Sequence, residues 1–255
     1  MTTTPYLDAP FLALAHRGFS LDGLENSRRA FEAARELGFR YVETDAHGTT
    51  DGVAVALHDA TLDRTTDARG IVAELPWDVV RRARIGGVEP VPRLDDLLGT
   101  WPDLRVNIDV KGESGVLPVA EAVERTRAHD RVCVTSFSVA RRRATVARLS
   151  RPVATSAGQG EVVRFLLAAR VRSVPGVRRA LRDVDCLQVP AAQGPVRVVD
   201  ARTLAAAHRT GRQVHVWTVD DPAEMRRLID LGVDGIVTNR ADLLRDVLAE
   251  RGLAP

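Results

Sequence analysis

Short apolar, β-branched runs alternate with amphipathic helical stretches along almost the whole chain. This alternation is typical of βαβ units, which build a parallel sheet covered by helices. No internal repeat and no low-complexity linker interrupts the pattern. The candidate strands are residues 11–15, 41–46, 53–57, 104–110, 132–136, 153–156, 186–189, 213–218 and 235–238.

These nine runs are one too many for an eight-stranded barrel. A parallel neighbour needs a crossover of about a dozen residues or more, yet only residues 47–52 separate the second run from the third. The run at 53–57 therefore cannot be a parallel barrel strand, and the turn dipeptide Asp51-Gly52 lies just before it. We predict one α/β domain over residues 1–255, a TIM (β/α)8 barrel with a small insertion after the second strand, at about 47–92.

Composition is consistent with one domain that acts on a small molecule. A chain of 255 residues, 45% of them apolar, can bury the single large core of such a barrel. Its 36 basic and 34 acidic residues are mixed along the chain, so we expect no nucleic-acid partner. Residues 1–10 lack a basic start, and the apolar run at 11–15 is too short for a signal peptide or a membrane span. We therefore expect a cytoplasmic protein without stable membrane insertion, and the oligomeric state stays open.

Acidic side chains lie in two of the candidate strands. Glu43 and Asp45 point to one face of the second strand, because side chains alternate along a strand, and so do Asp109 and Lys111 later in the chain. If those faces look inward, three oxygen donors meet at the carboxyl rim of the barrel. Such donors, without a cysteine cluster or a His-x-His pair, predict Mg²⁺ or Ca²⁺ rather than zinc. A structural ion pair is the alternative role for these acids.

Cationic and imidazole groups accompany the acids. Lys111 is the only lysine among the 36 basic residues, and a point charge there serves a site that an arginine fork does not. Arg17 can hold two phosphate oxygens, while His16 and His58 suit general acid–base work near neutral pH. Together with a metal, these groups predict cleavage of a phosphate ester bond. A hydrogen-bonded core histidine is the alternative role for each imidazole.

An ordered series of short motifs runs from residue 16 to residue 238. Its members are His16-Arg17-Gly18, Glu25-Asn26-Ser27, Glu43-x-Asp45, Thr50-Asp51-Gly52, His58-Asp59, Arg64-Thr65-Thr66, Asp109-x-Lys111, Ser136-Phe137, Val216-Trp217-Thr218 and Asp234-Gly235-Ile236-Val237-Thr238. Over about residues 12–250, this series closely resembles the glycerophosphodiester phosphodiesterase family. The resemblance implies a TIM barrel with a small insertion after the second strand. It also implies a divalent-metal enzyme that hydrolyses glycerophosphodiesters to glycerol 3-phosphate and an alcohol.

The resemblance further implies roles for individual residues. It gives general acid and base roles to two histidines, metal ligation to three acids and phosphate contact to two cations. These are, in order, His16 and His58; Glu43, Asp45 and Asp109; and Arg17 and Lys111.

The chain departs from the family pattern at three positions. Asp109 stands where the third metal ligand is usually glutamate, and its shorter side chain predicts a metal nearer the strand or an intervening water. Leu24 replaces a common proline before the Glu-Asn pair, which concerns only the loop. After Thr238, Asn239 precedes Arg240 without the proline often found there, and we interpret this change as neutral because Asn239 can still cap the last helix.

Other interpretations remain open. Aspartate as third ligand also occurs in the related sphingomyelinase D-like enzymes, so a lysophospholipase D or sphingomyelinase D-like activity on lipid head groups is the main alternative; it needs an apolar groove. A non-catalytic phosphodiester-binding barrel is the third hypothesis. Trp217, at a strand end, is expected either to wall the glycerol backbone or to pack at the rim.

Two further features are interpreted structurally. Cys133 and Cys186 are expected to be buried thiols, since free cysteine behaves as a small core hydrophobe. Six arginines lie between Glu161 and Asp183. We interpret that segment as a barrel helix with a solvated basic face rather than an interfacial helix, because Val174-Pro175-Gly176 interrupts it.

Overall fold

A computed structural model describes residues 4–255. Residues 1–3, part of the stretch in which we expect no signal peptide, lie outside the described residues. In chain order, the strands of the described part are β1 (Leu12–His16), β2 (Tyr41–Gly48), β3 (Ala54–Ala56), β4 (Arg84–Ile85), β5 (Glu89–Pro90), β6 (Arg105–Val110), β7 (Val132–Thr135), β8 (Ala154–Thr155), β9 (Cys186–Pro190), β10 (Ala192–Gln193), β11 (Val196–Arg197), β12 (Gln213–Trp217) and β13 (Gly235–Thr238).

Eight of these strands form a nearly closed parallel barrel, in the order β8-β7-β6-β2-β1-β13-β12-β9. A single parallel bridge between Ser156 and Cys186 joins the two ends of this series. A hydrogen bond of 3.0 Å from the backbone N of Ala157 to the carbonyl of Cys186 supports the closure. The predicted TIM barrel is confirmed.

Helices cover the outer face of the barrel. The first of them begins after Ser27, whose hydroxyl accepts a hydrogen bond from the N–H of Ala30, and it buries Phe31 and Ala34. Within the described residues, the helices are α1 (Arg28–Glu36), α2 (Trp77–Val80), α3 (Leu94–Thr100), α4 (Val116–Thr126), α5 (Val139–Val146), α6 (Gln159–Arg170), α7 (Val174–Ala180), α8 (Ala201–His208), α9 (Pro222–Leu231) and α10 (Ala241–Ala249).

The strand alternation divides the core in two. Outward side chains of the strands, such as Val106 and Ile108, pack with the helices in one large apolar cluster. Inward side chains form a second cluster that fills the lower barrel, and Cys133 and Cys186 belong to it. Both cysteines are buried and free, so the prediction of two buried thiols is confirmed. The upper interior is left to polar groups.

The third candidate run leaves the barrel as predicted. Strand β3 pairs antiparallel with the far end of β2, matching Ala46 with Ala56 and Gly48 with Ala54. The excursion that follows has its own apolar cluster, which includes Leu57, Leu62 and Ile85. The chain rejoins the barrel at α3. The sequence did not predict the short hairpin β10–β11.

No helix within residues 4–255 combines the length and the apolar character needed to cross a membrane.

Candidate active site

The register of the strands places polar side chains in two rows inside the mouth of the barrel. In one row His16 lies beside Glu43, and Glu43 lies beside Asn107. In the next row towards the carboxyl rim, Asp45 lies beside Asp109. The two rows share one face because alternate residues of a strand point the same way.

A cavity of about 510 Å³ opens at this end of the barrel. Active sites of such barrels lie at the carboxyl ends of the strands. The eight residues predicted for the site all line this cavity: His16, Arg17, Glu43, Asp45, His58, Asp109, Lys111 and Trp217. His58 arrives from the insertion and the others from barrel strands or the loops that follow them.

An amide beyond the last barrel strand orients the imidazole of His16. The Nδ1 atom of His16 lies 2.7 Å from Oδ1 of Asn239. Asn239 is itself fixed, because its Nδ2 donates to a carboxylate oxygen of Asp220 over 2.8 Å. His16 Nδ1 therefore donates, and Nε2 lies 3.8 Å from Oε2 of Glu43, beyond hydrogen-bond distance. Burial, followed by the charge of Arg17, lowers the pKa of His16.

The expectation that Asn239 caps the last helix is wrong. The residue at the N-cap of α10 is Arg240, and it makes no side-chain capping bond. The amide of Asn239 cannot serve as a cap because His16 and Asp220 already engage it. The polar residue after the strand belongs to the site instead of the helix.

A carboxylate orients the imidazole of His58. Its Nδ1 lies 2.6 Å from Oδ1 of Asp59, and Nε of Arg64 lies 2.5 Å from Oδ2 of the same carboxylate. The hydrogen bond from Arg64 holds the pKa of Asp59 far below its usual range. An ionised carboxylate only accepts hydrogen bonds, so Nδ1 of His58 donates and Nε2 is free.

A left-handed turn after β1 aims Arg17 at the acids. Arg17 has φ 58° and Gly18 has φ 79°. A Cβ on Gly18 would lie 2.6 Å from the carbonyl carbon of Ala30, so the turn requires glycine. The turn lets the backbone N of Arg17 donate to Glu43 over 3.2 Å and brings its Nε to 3.0 Å from Asp45.

Lys111 lies between two of the acids. Its Nζ is 2.9 Å from Asp45 Oδ1 and 2.6 Å from Asp109 Oδ2. Burial would lower the pKa of Lys111, but the charges of Asp109 and Asp45 outweigh it and raise that pKa. For Asp45, Lys111 and Arg17 outweigh burial and lower the pKa. For Asp109, burial outweighs Lys111 and raises the pKa.

The three acids have the chemistry of a cation site but not its finished geometry. Within residues 4–255, no three Asp, Glu, His or Cys side chains already converge as metal ligands. Asp109 Oδ1 is nevertheless buried without a hydrogen-bond partner. Burial, followed by Asp45 and Asp109, raises the pKa of Glu43 well above its usual value. A buried carboxylate oxygen without a partner is costly, and carboxylate oxygens of this kind suit a hard cation.

The far side of the cavity is apolar. Trp217 meets Phe137 edge to face, with ring centroids 5.8 Å apart. Val162 and Leu166 of α6 and Val198 complete this wall. Of the described residues, the charged ones that line the cavity belong to or follow β1, β2, β6 or the insertion, and Nζ of Lys111 lies 5.6 Å from the centroid of the Phe137 ring. The apolar half can therefore hold carbon, while the polar half holds charge.

Sequence reasoning missed several residues of the site. Asn107 and Gln188 line the cavity and share a hydrogen bond of 2.9 Å. Asp220 stands behind Asn239, and both follow the ends of barrel strands. A polar residue just after each strand is the signal that could have found this pair. The wall from α6 has no comparable signal, because its residues look like ordinary helix core.

Comparisons with known proteins give the site a context. The model of the glycerophosphoryl diester phosphodiesterase family matches residues 16–243 of this chain. A Mycobacterium tuberculosis protein named "Probable glycerophosphodiester phosphodiesterase 2" is 48% identical over 242 residues, which cover 94% of this chain and 92% of that protein.

Two other similarities bear on activity and fold. A lysophospholipase D of Mus musculus is 24% identical over 272 residues, covering 92% of this chain and 85% of that protein. A solved structure of an Oleispira antarctica phosphodiesterase in complex with the product sn-glycerol-3-phosphate superimposes with a TM-score of 0.76. Its sequence identity is 18%, over 93% of this chain and 96% of that one.

Proposed function

We propose that this chain, which belongs to the glycerophosphoryl diester phosphodiesterase family, cleaves glycerophosphodiesters to glycerol 3-phosphate and an alcohol. Membership of this family makes it a phosphoric diester hydrolase. One observation carries the proposal. Two imidazoles, each with Nδ1 engaged and with no hydrogen bond to Nε2 from the described residues, face the same cavity as Arg17 and Lys111. The sn-glycerol-3-phosphate in the Oleispira antarctica enzyme is a product of the same chemical class.

His16 and His58 divide the proton transfers in this proposal. One Nε2 takes the proton from the attacking hydroxyl while the other gives a proton to the leaving oxygen. In a glycerophosphodiester the neighbouring glycerol hydroxyl can attack phosphorus, with an effective molarity on the order of 10⁵ M or more when well oriented. The bond from phosphorus to the leaving alcohol then breaks. Water opens the resulting cyclic phosphate, with the two imidazoles exchanging roles.

The cations hold the phosphate during these transfers. Arg17 offers a planar fork for two phosphate oxygens, and Lys111 offers a point charge beside it. Glu43, Asp45 and Asp109 would hold a divalent metal, Mg²⁺ or Ca²⁺. When bound, that ion supplies charge stabilisation at the phosphate oxygens.

Activity measurements test the two histidines. We expect H16A and H58A each to lower kcat for glycerophosphocholine by about 10²-fold or more, because each removes a general acid–base group. The control is H208A, whose imidazole lies outside the cavity and pairs with Asp234. Thermal unfolding checks that every variant is folded. Unchanged turnover in both H16A and H58A would exclude the proposed catalysis.

Metal dependence is tested by binding as well as by turnover. We expect a chelator to abolish turnover and added Mg²⁺ or Ca²⁺ to restore it. Either ion should also raise the Tm of the chelator-treated protein, because it binds the folded state. This rise should vanish in E43Q and persist in E121Q, whose carboxylate lies on the surface of α4. Equal rises in both variants would place the ion elsewhere.

A lysophospholipase D activity is the second candidate. The apolar half of the cavity and the similarity to the mouse lysophospholipase D favour it. Assays of glycerophosphocholine against lysophosphatidylcholine separate the two candidates. Cleavage of the lipid alone would overturn the glycerophosphodiester proposal.

A further inference from the structure

Helix α6 carries an apolar stripe on its outer surface. Val163, Leu167 and Val171 are 51%, 62% and 73% exposed. They follow one another at intervals of four residues, so their side chains share one face of the helix and its C-cap. Large apolar side chains of a soluble domain are normally scattered singly over the surface. Three in a row on one helix form a continuous patch.

Uncompensated arginines lie in the same α6–α7 segment as this stripe. Five arginines of the α6–α7 segment are exposed and make no ion pair within the described residues: Arg164, Arg170, Arg172, Arg178 and Arg179. The acid of α6, Glu161, is buried and pairs with Arg142 of α5 at 2.9 Å. The surface of α6 and α7 is therefore strongly basic as well as apolar.

The arginines also border a second cavity. It measures about 380 Å³ and lies on the flank of the barrel, away from the catalytic residues. Arg143, Arg164, Arg179 and Arg182 line it. Asp183 engages Arg143 at 2.7 Å, while Arg164 and Arg179 have no acidic partner in the described part of the chain. The cavity has room for a phosphate head group, and its free charge has the sign that a phosphate requires.

From the sequence, the turn at Val174-Pro175-Gly176 favoured a solvated barrel helix over an interfacial one, but α6 runs unbroken from Gln159 to Arg170 and carries the stripe without α7. We propose that the surface of α6 and α7 docks onto an anionic phospholipid bilayer. Interfacial helices combine an apolar stripe, which enters the acyl boundary, with arginines that meet the head groups. A soluble phosphate compound would use the arginines but would leave Leu167 and Val171 in water. The combination of charge and apolar stripe therefore identifies a bilayer as the partner.

The docking surface adjoins the mouth of the catalytic cavity. Val163 belongs to the stripe and also lines that cavity, as does the 56% exposed Phe137. The backbone N–H of Gln159, the first residue of α6, donates to the carbonyl of Phe137 over 2.9 Å. Docking would bring the mouth of the cavity to the lipid surface. Docking goes beyond the proposed hydrolysis, and its measurement requires no turnover.

Vesicle sedimentation of the full chain tests the proposal. We expect binding to vesicles of phosphatidylcholine mixed with phosphatidylglycerol and no binding to phosphatidylcholine alone, since anionic lipid attracts the arginines. Raising the salt concentration should weaken binding without abolishing the contribution of the stripe. Absence of binding to the mixed vesicles at low salt would overturn the proposal.

Two double variants separate the components of the surface. R170Q/R178Q should lower the partition coefficient about tenfold or more, because each basic residue contributes to adsorption. Its matched control is R29Q/R69Q, which removes the same charge from exposed arginines of α1 and the insertion. L167Q/V171Q keeps the charge and replaces the two most exposed residues of the stripe, and we expect a similar loss.

The variants distinguish docking on a bilayer from general charge attraction and from binding of a soluble anion. An equal loss in R170Q/R178Q and R29Q/R69Q would indicate general charge attraction and overturn the proposal. Undiminished binding of L167Q/V171Q, with release of the protein by added inorganic phosphate, would indicate a soluble anion site instead. All six substituted side chains are exposed, so we expect the variants to fold. Thermal unfolding checks this.

Discussion

At the scale of single residues, the two histidines are prepared by different partners. His16 donates to a neutral amide that Asp220 orients, while His58 donates to an ionised carboxylate that Arg64 orients. The result is the same for both, since each faces the cavity with no hydrogen bond to Nε2 from the described residues. In both histidines the hydrogen-bond acceptor at Nδ1 fixes which ring nitrogen carries the proton, whether that acceptor is an amide or a carboxylate.

The amide behind His16 can be tested directly. We expect N239A to lower kcat by about tenfold or more with little change in KM, because His16 loses its fixed tautomer while the phosphate contacts remain. Steady-state kinetics on glycerophosphocholine with a thermal unfolding control measure this. A purely structural role would instead lower Tm and leave the kcat of the folded fraction unchanged.

Glycine at position 18 is required by space as well as by backbone angle. Gly18 and Gly23 have φ of 79° and 76°, but a Cβ on Gly23 meets nothing within 4 Å. We expect G23A to cost about 1 kcal/mol for the left-handed backbone alone. G18A should cost about 3 kcal/mol or more, because the added carbon overlaps the backbone of Ala30. Urea unfolding of both variants measures the difference, and equal values would contradict the steric explanation.

At the scale of elements, one buried ion pair joins two neighbouring helices. Arg142 of α5 and Glu161 of α6 are each 2% exposed and lie 2.9 Å apart. Arg142 also donates to the carbonyl of Asp183, and Glu161 accepts from the backbone N of Gly158 at the start of α6. This pair sets how α6 leaves the barrel, and α6 supplies the apolar wall of the cavity.

Breaking this pair should be far more harmful than breaking a surface pair. We expect R142A to lower the free energy of unfolding by about 3 kcal/mol, because buried Glu161 loses its partner at 2.9 Å and keeps only the half-exposed Arg143 at 3.5 Å. The control is R151A, whose partner Asp130 is 55% exposed, and it should cost less than about 1 kcal/mol. Chemical denaturation of both variants provides the comparison. Similar losses would show that Arg143 and solvent satisfy the Glu161 carboxylate without Arg142.

At the scale of the whole molecule, the two ends of the barrel have opposite character. The carboxyl end is open and charged, whereas residues of the N-terminal segment close the other end. Tyr6 is fully buried there, with its ring edge to face against Tyr41 at 5.3 Å. Its backbone carbonyl accepts a hydrogen bond of 2.8 Å from the Tyr41 hydroxyl. The closed end stabilises the barrel and takes no part in the site.

The hydroxyl of Tyr6 offers a test of this closure. That hydroxyl is buried and has no hydrogen-bond partner among residues 4–255. We expect Y6F to leave stability unchanged or raise it by about 1 kcal/mol, since it removes an unsatisfied polar group. Y6A should lower stability by about 3–5 kcal/mol through the cavity it leaves. Thermal and urea unfolding measure both, and a marked loss in Y6F would mean that the hydroxyl has a partner.

Local spacing was enough to predict the architecture. The short link at residues 47–52 excluded 53–57 from the parallel barrel, and β3 indeed pairs antiparallel with β2. Alternation along the strands likewise brought Glu43, Asp45 and Asp109 to one cavity. Their roles as metal ligands stay predictions, as do the assigned roles of the other site residues. These inferences succeeded because strand period and crossover length depend on neighbours in the chain.

The sequence by itself therefore determined the barrel, its insertion and the residue types at its mouth. Only the tertiary structure decided which hydrogen-bond and ion-pair partners orient these residues. Asn239 reaches His16 from 223 positions away, and its expected role as a helix cap was wrong for that reason. The sequence showed that the α6–α7 segment is rich in arginine, but only the structure showed that Val163, Leu167 and Val171 are exposed and that Glu161 is buried against Arg142. Contacts of this kind depend on strand register and helix packing, which a local pattern does not specify.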